Sequence, residues 1–196
     1  DDFHTAHPEI EVWISADLEP AVLGEGGADL AVRYGKGDYP GHVVDRLMTE
    51  TVLPVVSPAL MTGEQPIRTP ADLARHVLLH DMSNDGDPSR PDWAMWLKAR
   101  RVRHSDPRKG SRFNQSSMLI EAAAAGRGVA LAKRTLAQAD LTSGRLVAPF
   151  PDGSEQVGFA YYVVLPRDRP PSPSATAFVT WLKGQAVHHD NQMGQL

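Results

Sequence analysis

Cysteine is absent from the 196 residues of this chain, which excludes disulfide bonds, thiolate metal ligands and cysteine nucleophiles. Long apolar runs are absent too, and none approaches the roughly 20 residues that span a bilayer. Basic residues are in short supply, because 20 lysines and arginines stand against 24 aspartates and glutamates. A protein that neutralises DNA phosphates needs a basic face. These shortages predict a soluble, folded chain that does not itself contact DNA.

Several catalytic and targeting motifs are also missing from the sequence. It contains no Gly-x-Ser-x-Gly elbow, no phosphate-binding loop and no His-Glu-x-x-His pair, so we expect no catalysis. The first residues have neither the basic start nor the apolar stretch of a secretory signal. They do not begin with methionine, which is typical of an excised or incomplete piece.

The first third of the chain alternates strand and helix signals. Residues 10–15 place β-branched or apolar residues at alternate positions and predict a strand. Residues 19–23 predict a helix ended by Gly24, Gly26 and Gly27, and residues 30–32 a second strand. Residues 43–57 predict two consecutive extended segments, and Thr69 with Pro70 begins a helix. This alternation predicts an α/β fold with a mostly parallel sheet.

The remaining two thirds contain a clear strand, helix, strand unit. Asp92 is expected to cap a helix with Trp93 and Trp96 on one apolar face. Residues 111–114 lead into a helix over 116–125, which Gly126 and Gly128 end before a strand over 129–132. Further strands are predicted at 146–150 and 159–165, and an amphipathic helix follows with a frayed polar tail from residue 188.

Several segments together resemble the effector domains of LysR-type transcriptional regulators, in the branch that includes the glycine-cleavage activator. The resemblance is carried by residues 28–35 (ADLAVRYG), 37–41 (GDYPG), 54–60 (PVVSPAL) and 126–131 (GRGVAL), together with the stretch 78–81 (LLHD) ahead of Asp92. It extends in order over residues 1–182. An ordered match of this length is more specific than any single motif.

The resemblance implies a fold like that of type 2 periplasmic binding proteins, with two α/β lobes joined by two crossing strands. The expected crossings lie near residues 53–57 and 161–166. Lobe I would comprise residues 1–57 and 167–187, lobe II residues 58–166, and residues 188–196 a disordered tail. Family members have an additional strand ahead of the segment matching Asp1, so we expect the first lobe to lack its usual N-terminal strand.

The resemblance also implies a function and partners. The chain would bind a small-molecule effector in the cytoplasm, with no cofactor, no metal and no membrane association. A homodimer or tetramer would read promoter DNA through an N-terminal winged helix-turn-helix that this sequence does not contain. The alternatives are a solute receptor of a transport system with the same fold, and a fold-related enzyme such as a relative of prephenate dehydratase.

Candidate effector-binding residues follow the predicted strands, since ligands of open α/β sheets bind beyond the carboxyl ends of strands and at helix N-termini. One group of polar residues precedes and opens the helix over 116–125, and would suit a carboxylate or another small anion. It consists of Asn114, Gln115, Ser116 and Ser117. The alternative is that Asn114 or Ser116 only caps the helix.

The same geometry makes Ser15, Tyr34, Gly35 and Ser57 candidates, because each follows a predicted first-lobe strand. Tyr161 is added because Tyr161 and Tyr162 alternate across a strand, so only one of them faces a cleft.

Three further patterns have simpler readings. The basic run of residues 98–112 is expected to be a solvated helix end and loop rather than a nucleic-acid patch. His76 and His80 have zinc-ligand spacing, but the residues between them predict a strand, which would separate them. Residues 81–92 have oxygen donors at most positions of a calcium loop, but Pro88 and the capping role of Asp92 favour a plain acidic loop.

Overall fold

A computed structural model describes residues 2–16, 21–83, 87–104 and 106–193. The chain divides into two compact units, Asp1–Thr49 with Gly158–Leu196, and Glu50–Val157. The elements in chain order are α1 (Asp2–Ala6), β1 (Ala31–Gly35), β2 (His42–Val55), α2 (Ala59–Thr62), a 3-10 helix (Pro70–Arg75), β3 (Leu78–Asp81), α3 (Trp93–Ala99), β4 (Gly110–Phe113), α4 (Ser116–Ala124), β5 (Val129–Lys133), α5 (Arg134–Thr142), β6 (Glu155–Pro166) and α6 (Pro173–Met193).

The first unit is built on an antiparallel strand pair and a long helix. β1 pairs with β6 in a register that sets Tyr34 opposite Tyr161. Phe3 of α1 is buried, and its ring meets those of Phe178 and Trp181 on α6 at centroid distances of 5.0 and 5.4 Å. Edge-on aromatic contacts of this kind add to the free energy gained by burying the rings, so they hold α1 on α6.

The second unit contains a mixed sheet. β3 is parallel to both β4 and β5, whereas β2 runs antiparallel to β5. Apolar side chains fill both faces of this sheet, one centred on Trp93 and Trp96 and the other on Leu119 and Leu146. Burial on both faces explains why β5 is uniformly apolar up to its last residue, Lys133. The parallel pairing expected from the alternation is therefore present among β3, β4 and β5, whereas the long strand β2 pairs antiparallel.

Local signals determine where the helices of the second unit begin. Thr69 and Asp72 form a reciprocal capping box at the start of the 3-10 helix. Asp92 accepts a hydrogen bond from the Met95 N–H at 2.7 Å and so caps α3 as predicted. The indole N–H of Trp93 donates to the Leu79 carbonyl at 2.9 Å, and that of Trp96 to the Gly153 carbonyl at 2.7 Å. Both buried tryptophans therefore have a satisfied polar atom.

Some predicted elements do not form. Residues 10–15 belong to no helix or strand, and Trp13 and Ile14 are 96% and 80% exposed. In the helix predicted over 19–23, residues 19 and 20 lie outside the described residues, and Leu23 forms a β-bridge with Ala28. The strand predicted over 146–150 is reduced to a single bridge between Val147 and Val56.

The boundaries of the two units lie within strands. The extended segments predicted over 43–57 form one continuous strand, β2, and the chain passes between units inside β2 and inside β6. Both passages come earlier in the chain than the lobe boundaries expected from the resemblance. α6 continues past His188 to Met193, and residues 194–196 lie outside the described residues. Among the described residues, no helix is long and apolar enough to cross a membrane.

Candidate functional site

A polar cluster lies where three elements of the second unit meet. β3 ends at Asp81, the neighbouring parallel strand β5 ends at Lys133, and α4 begins at Ser116. Carboxyl ends of parallel strands meet at one edge of a sheet, and this edge is where ligands of α/β folds bind. The cluster therefore marks the edge of the sheet at which the sequence predicted effector binding.

The members of the cluster are joined by short hydrogen bonds. The Lys133 ammonium donates to Asp81 Oδ2 at 3.0 Å, to Ser83 Oγ at 2.8 Å and to Ser116 Oγ at 2.8 Å. The Ser116 hydroxyl donates to Asp81 Oδ2 at 2.6 Å, and the Ser83 N–H donates to Asp81 Oδ1 at 2.8 Å. The side chains of Lys133 and Asp81 are only 9% and 12% exposed. Two nearly buried charges are thus paired and fully surrounded by polar partners.

The ion pair determines the protonation state of Asp81. Burial alone would raise the pKa of this carboxyl group, but the Lys133 ammonium and the hydrogen bonds from Ser116 and Ser83 outweigh it. The pKa of Asp81 is therefore lower than its ordinary value, and the carboxylate stays ionised at neutral pH. The cluster is an ammonium–carboxylate pair with two serine hydroxyls.

Hydrogen-bond capacity limits what Ser116 and Lys133 can do for a ligand. A serine hydroxyl has one proton to donate, and Ser116 donates it to Asp81 while accepting from Lys133. An ammonium has three N–H groups, and those of Lys133 point at Asp81, Ser83 and Ser116. These two side chains therefore hold the ends of β3, β5 and α4 together.

The start of α4 carries other polar groups. Gln115, rather than Asn114 or Ser116, occupies the position before the first turn, and its side chain makes no capping bond. Asn114, Gln115 and Ser117 are exposed. The first N–H groups of any α-helix have no acceptor within the helix. The first turn of α4 thus combines backbone donors, a partial positive charge and polar side chains.

The remaining predicted residues lie elsewhere. In the first unit Tyr34 and Tyr161 are cross-strand neighbours whose ring centroids are 5.0 Å apart, and Gly35 ends β1. Tyr162 points to the opposite face, where it contacts Tyr39 and donates to the Lys36 carbonyl. The alternation predicted for the two tyrosines is therefore present.

Two candidates lie on other segments of the chain. Ser15 is exposed and lies within residues 10–16 of the first unit, which form no helix or strand. Ser57 follows β2 in the second unit, where its carbonyl oxygen accepts a hydrogen bond from the Leu60 N–H.

The metal patterns of the sequence do not assemble. His80 lies on β3, whereas His76 ends the preceding 3-10 helix. In the possible calcium loop, residues 84–86 lie outside the described residues, and Asp81 and Asp92 bind Lys133 and the start of α3. Within the described ranges, no group of three or more His, Asp or Glu side chains is arranged to hold a metal ion.

Sequence reasoning missed Asp81, Ser83 and Lys133 as members of the site. The sequence did contain a signal for this ion pair. One apolar strand ends in the acidic residue Asp81 and another ends in the basic residue Lys133. In a parallel pair those two residues emerge at the same edge of the sheet.

Comparisons with known proteins agree with this architecture. The family model described as LysR substrate binding domain matches residues 1–187. The glycine cleavage system transcriptional activator of Escherichia coli is 39% identical over 186 residues, covering 94% of this chain and 58% of that protein. The transcriptional activator AmpR of Rhodobacter capsulatus is 32% identical over 185 residues, covering 94% and 60%. The chain therefore spans less than two thirds of these curated relatives.

Among solved structures, the AmpR effector binding domain from Citrobacter freundii aligns with a TM-score of 0.80 and 29% identity, covering 95% of this chain and 88% of that domain. The chain has the two-lobed α/β fold predicted from its sequence.

Proposed function

Because this chain belongs to the family of LysR substrate-binding domains, we propose that it is the effector-sensing part of a LysR-type transcriptional regulator. It binds a small polar or anionic molecule, and binding alters how the longer protein acts at DNA. The observation that carries this proposal is the 39% identity with a transcriptional activator over 94% of the chain. Family membership makes the chain a regulator domain and not an enzyme.

The transport-receptor alternative is not favoured, since the relatives with which the chain aligns are named as transcriptional regulators. A shared fold by itself would not separate the two functions. The names of the sequence relatives do separate them.

The effector contacts the first turn of α4. Its carboxylate or another anionic group accepts hydrogen bonds from the backbone N–H groups there and from Ser117, Gln115 or Asn114. This placement is supported by the exposure of these side chains and by the lack of a capping bond at Gln115. Ser116 contributes by fixing the helix start to Asp81 and Lys133.

On the first unit, the candidate effector contacts are Tyr34, Gly35 and Tyr161, together with Ser15, and on the second unit Ser57 is a further candidate. The pairing of Tyr34 with Tyr161 supports this, since adjacent phenol rings offer apolar surface with polar ends. Such a pair of tyrosines suits a small amphipathic molecule, such as an amino acid.

The longer protein acts in the cytoplasm as a homodimer or tetramer and reads promoter DNA through an N-terminal winged helix-turn-helix. The net charge of −4 supports assigning DNA contacts to another part of the protein. Effector binding can alter DNA binding only if the effector has different affinities for two conformations of the protein.

A thermal-shift screen of amino acids and small carboxylates against the purified chain tests the proposal. We expect at least one compound to raise the melting temperature, and Ser117→Ala to reduce that effect. Ser143→Ala is the matched control, because Ser143 is exposed on the same unit and its hydroxyl donates to the Asp140 carbonyl at the end of α5. Equal ligand response in the two variants would argue against the α4 site.

A further inference from the structure

A pocket opens in the second unit on the α3 side of the end of β3. Its volume is about 100 Å³, and it lies between the end of β3, the start of α3 and the loop that leads into β4. Leu79, Trp93 and Leu131 supply its apolar lining, and three arginines line it as well: Arg90, Arg108 and Arg112. Neither the polar cluster nor the effector site uses these arginines.

Two of the arginines have unused charge. Among the described residues, neither Arg108 nor Arg112 forms an ion pair with an acidic side chain, and the Arg112 guanidinium has only a long 3.4 Å contact with the Arg108 carbonyl. Other arginines of the unit are paired, since Arg100 binds Glu155 and Arg145 binds Glu121 and Asp140. The contrast indicates that, among the described residues, Arg108 and Arg112 lack a protein anion.

The acidic residues of the pocket are committed to other partners. Asp81 pairs with Lys133 and accepts from Ser116 and Ser83. Asp92 accepts from the Met95 N–H and lies at the positive end of α3. The acidic lining residues are therefore engaged by Lys133 and the start of α3, and neither forms an ion pair with Arg108 or Arg112.

We propose that this pocket is a binding site for a small oxyanion, held by the guanidinium groups of Arg108 and Arg112. A planar guanidinium offers paired N–H donors that match two oxygens of a carboxylate or phosphate. The small volume restricts the occupant to the size of such a group. The site is independent of the effector site on α4.

Isothermal titration of the chain with inorganic phosphate and with acetate, each against chloride at equal ionic strength, tests this proposal. We expect one of the two anions to bind. Which anion binds shows whether the pocket selects a tetrahedral phosphate or a planar carboxylate. Arg108→Gln and Arg112→Gln should each weaken that binding by roughly tenfold or more, as expected for loss of a charge-assisted hydrogen bond. Circular dichroism verifies that each variant is folded.

Two control variants test whether the anion binds at the pocket itself. Arg103→Gln removes an exposed charge of the same basic run that does not line the pocket, and it should bind the anion as well as the unaltered chain. Ser117→Ala should also bind it normally, so a failure of the α4 proposal leaves this result intact. Binding no stronger than that of chloride, or an equal loss in Arg103→Gln, would overturn the oxyanion site.

Discussion

Lys133 and Asp81 form an ion pair across two neighbouring parallel strands, with Nζ and Oδ2 3.0 Å apart and both side chains almost excluded from water. Each residue is the last of its strand, and together they receive the first residue of α4. The pair is therefore placed to determine where that helix begins.

Removing either charge of this pair should destabilise the fold, because the other charge remains nearly buried. We expect Lys133→Met and Asp81→Asn each to lower the free energy of unfolding by about 3 kcal/mol. The double variant should cost much less than the sum of the two. Urea unfolding measures all three. Arg145→Met is the control, since Arg145 forms an exposed pair with Glu121 and should cost less than about 1 kcal/mol.

The contribution of Asp81 should depend on pH in a definite direction. A carboxyl group whose pKa is lowered by folding stabilises the protein above its unfolded pKa, and that contribution is lost as the pH falls through the folded value. The stability difference between the unaltered chain and Asp81→Asn should therefore be constant near neutrality and shrink below about pH 4. Unfolding curves from pH 7 to pH 3 measure it, and an unchanged difference at pH 3 would contradict the charge argument.

Ser116 and Ser117 are neighbours with different predicted roles. Ser116→Ala should lower the free energy of unfolding by about 1 kcal/mol, because Asp81 and Lys133 each lose a hydrogen-bond partner. Ser117→Ala should leave stability within about 0.5 kcal/mol, as an exposed substitution does, while weakening the effector. Thermal unfolding with and without an identified effector separates the two effects. Identical behaviour of both variants would contradict the division of roles.

Two glycines at the exit of α4 should respond differently to alanine. Gly126 has a φ of +72°, and a Cβ there meets nothing within 4 Å, so Gly126→Ala should cost about 1 kcal/mol from backbone strain. A Cβ on Gly128 would lie 2.4 Å from the Val77 carbonyl oxygen. Gly128→Ala must displace that backbone ahead of β3 and should cost clearly more. Chemical denaturation of both variants tests the order, and a smaller loss at Gly128 would contradict it.

The predictable parts of the fold are those with local causes. The segment from β4 through α4 to β5 was predicted within a few residues, because its apolar periodicity and the glycines that end α4 are local signals. The cap on α3 was predicted because it depends only on the side chain of Asp92. The strand predicted over residues 10–15 has the right alternation but no partner strand among the described residues. A strand is stabilised by its neighbours as much as by its own residues, so the pattern alone was insufficient.

The candidate site divides in the same way. The first turn of α4 was predictable because a helix start is a local feature. The roles of Asp81 and Lys133 depend on two strands that are far apart in the sequence becoming neighbours in the sheet. Composition and spacing do not determine which strands pair, and so the commitment of Ser116 to this ion pair required the structure.

The exposed indole of Trp13 makes the segment around it observable by fluorescence. Trp93 and Trp96 are buried and Trp181 is partly buried, whereas Trp13 is 96% exposed, so we expect Trp13 to emit at the longest wavelength of the four. Whatever covers residues 10–15 must therefore shift the emission toward shorter wavelength and protect it from a soluble quencher. The chain thus contains a built-in optical reporter for this segment, without any added dye.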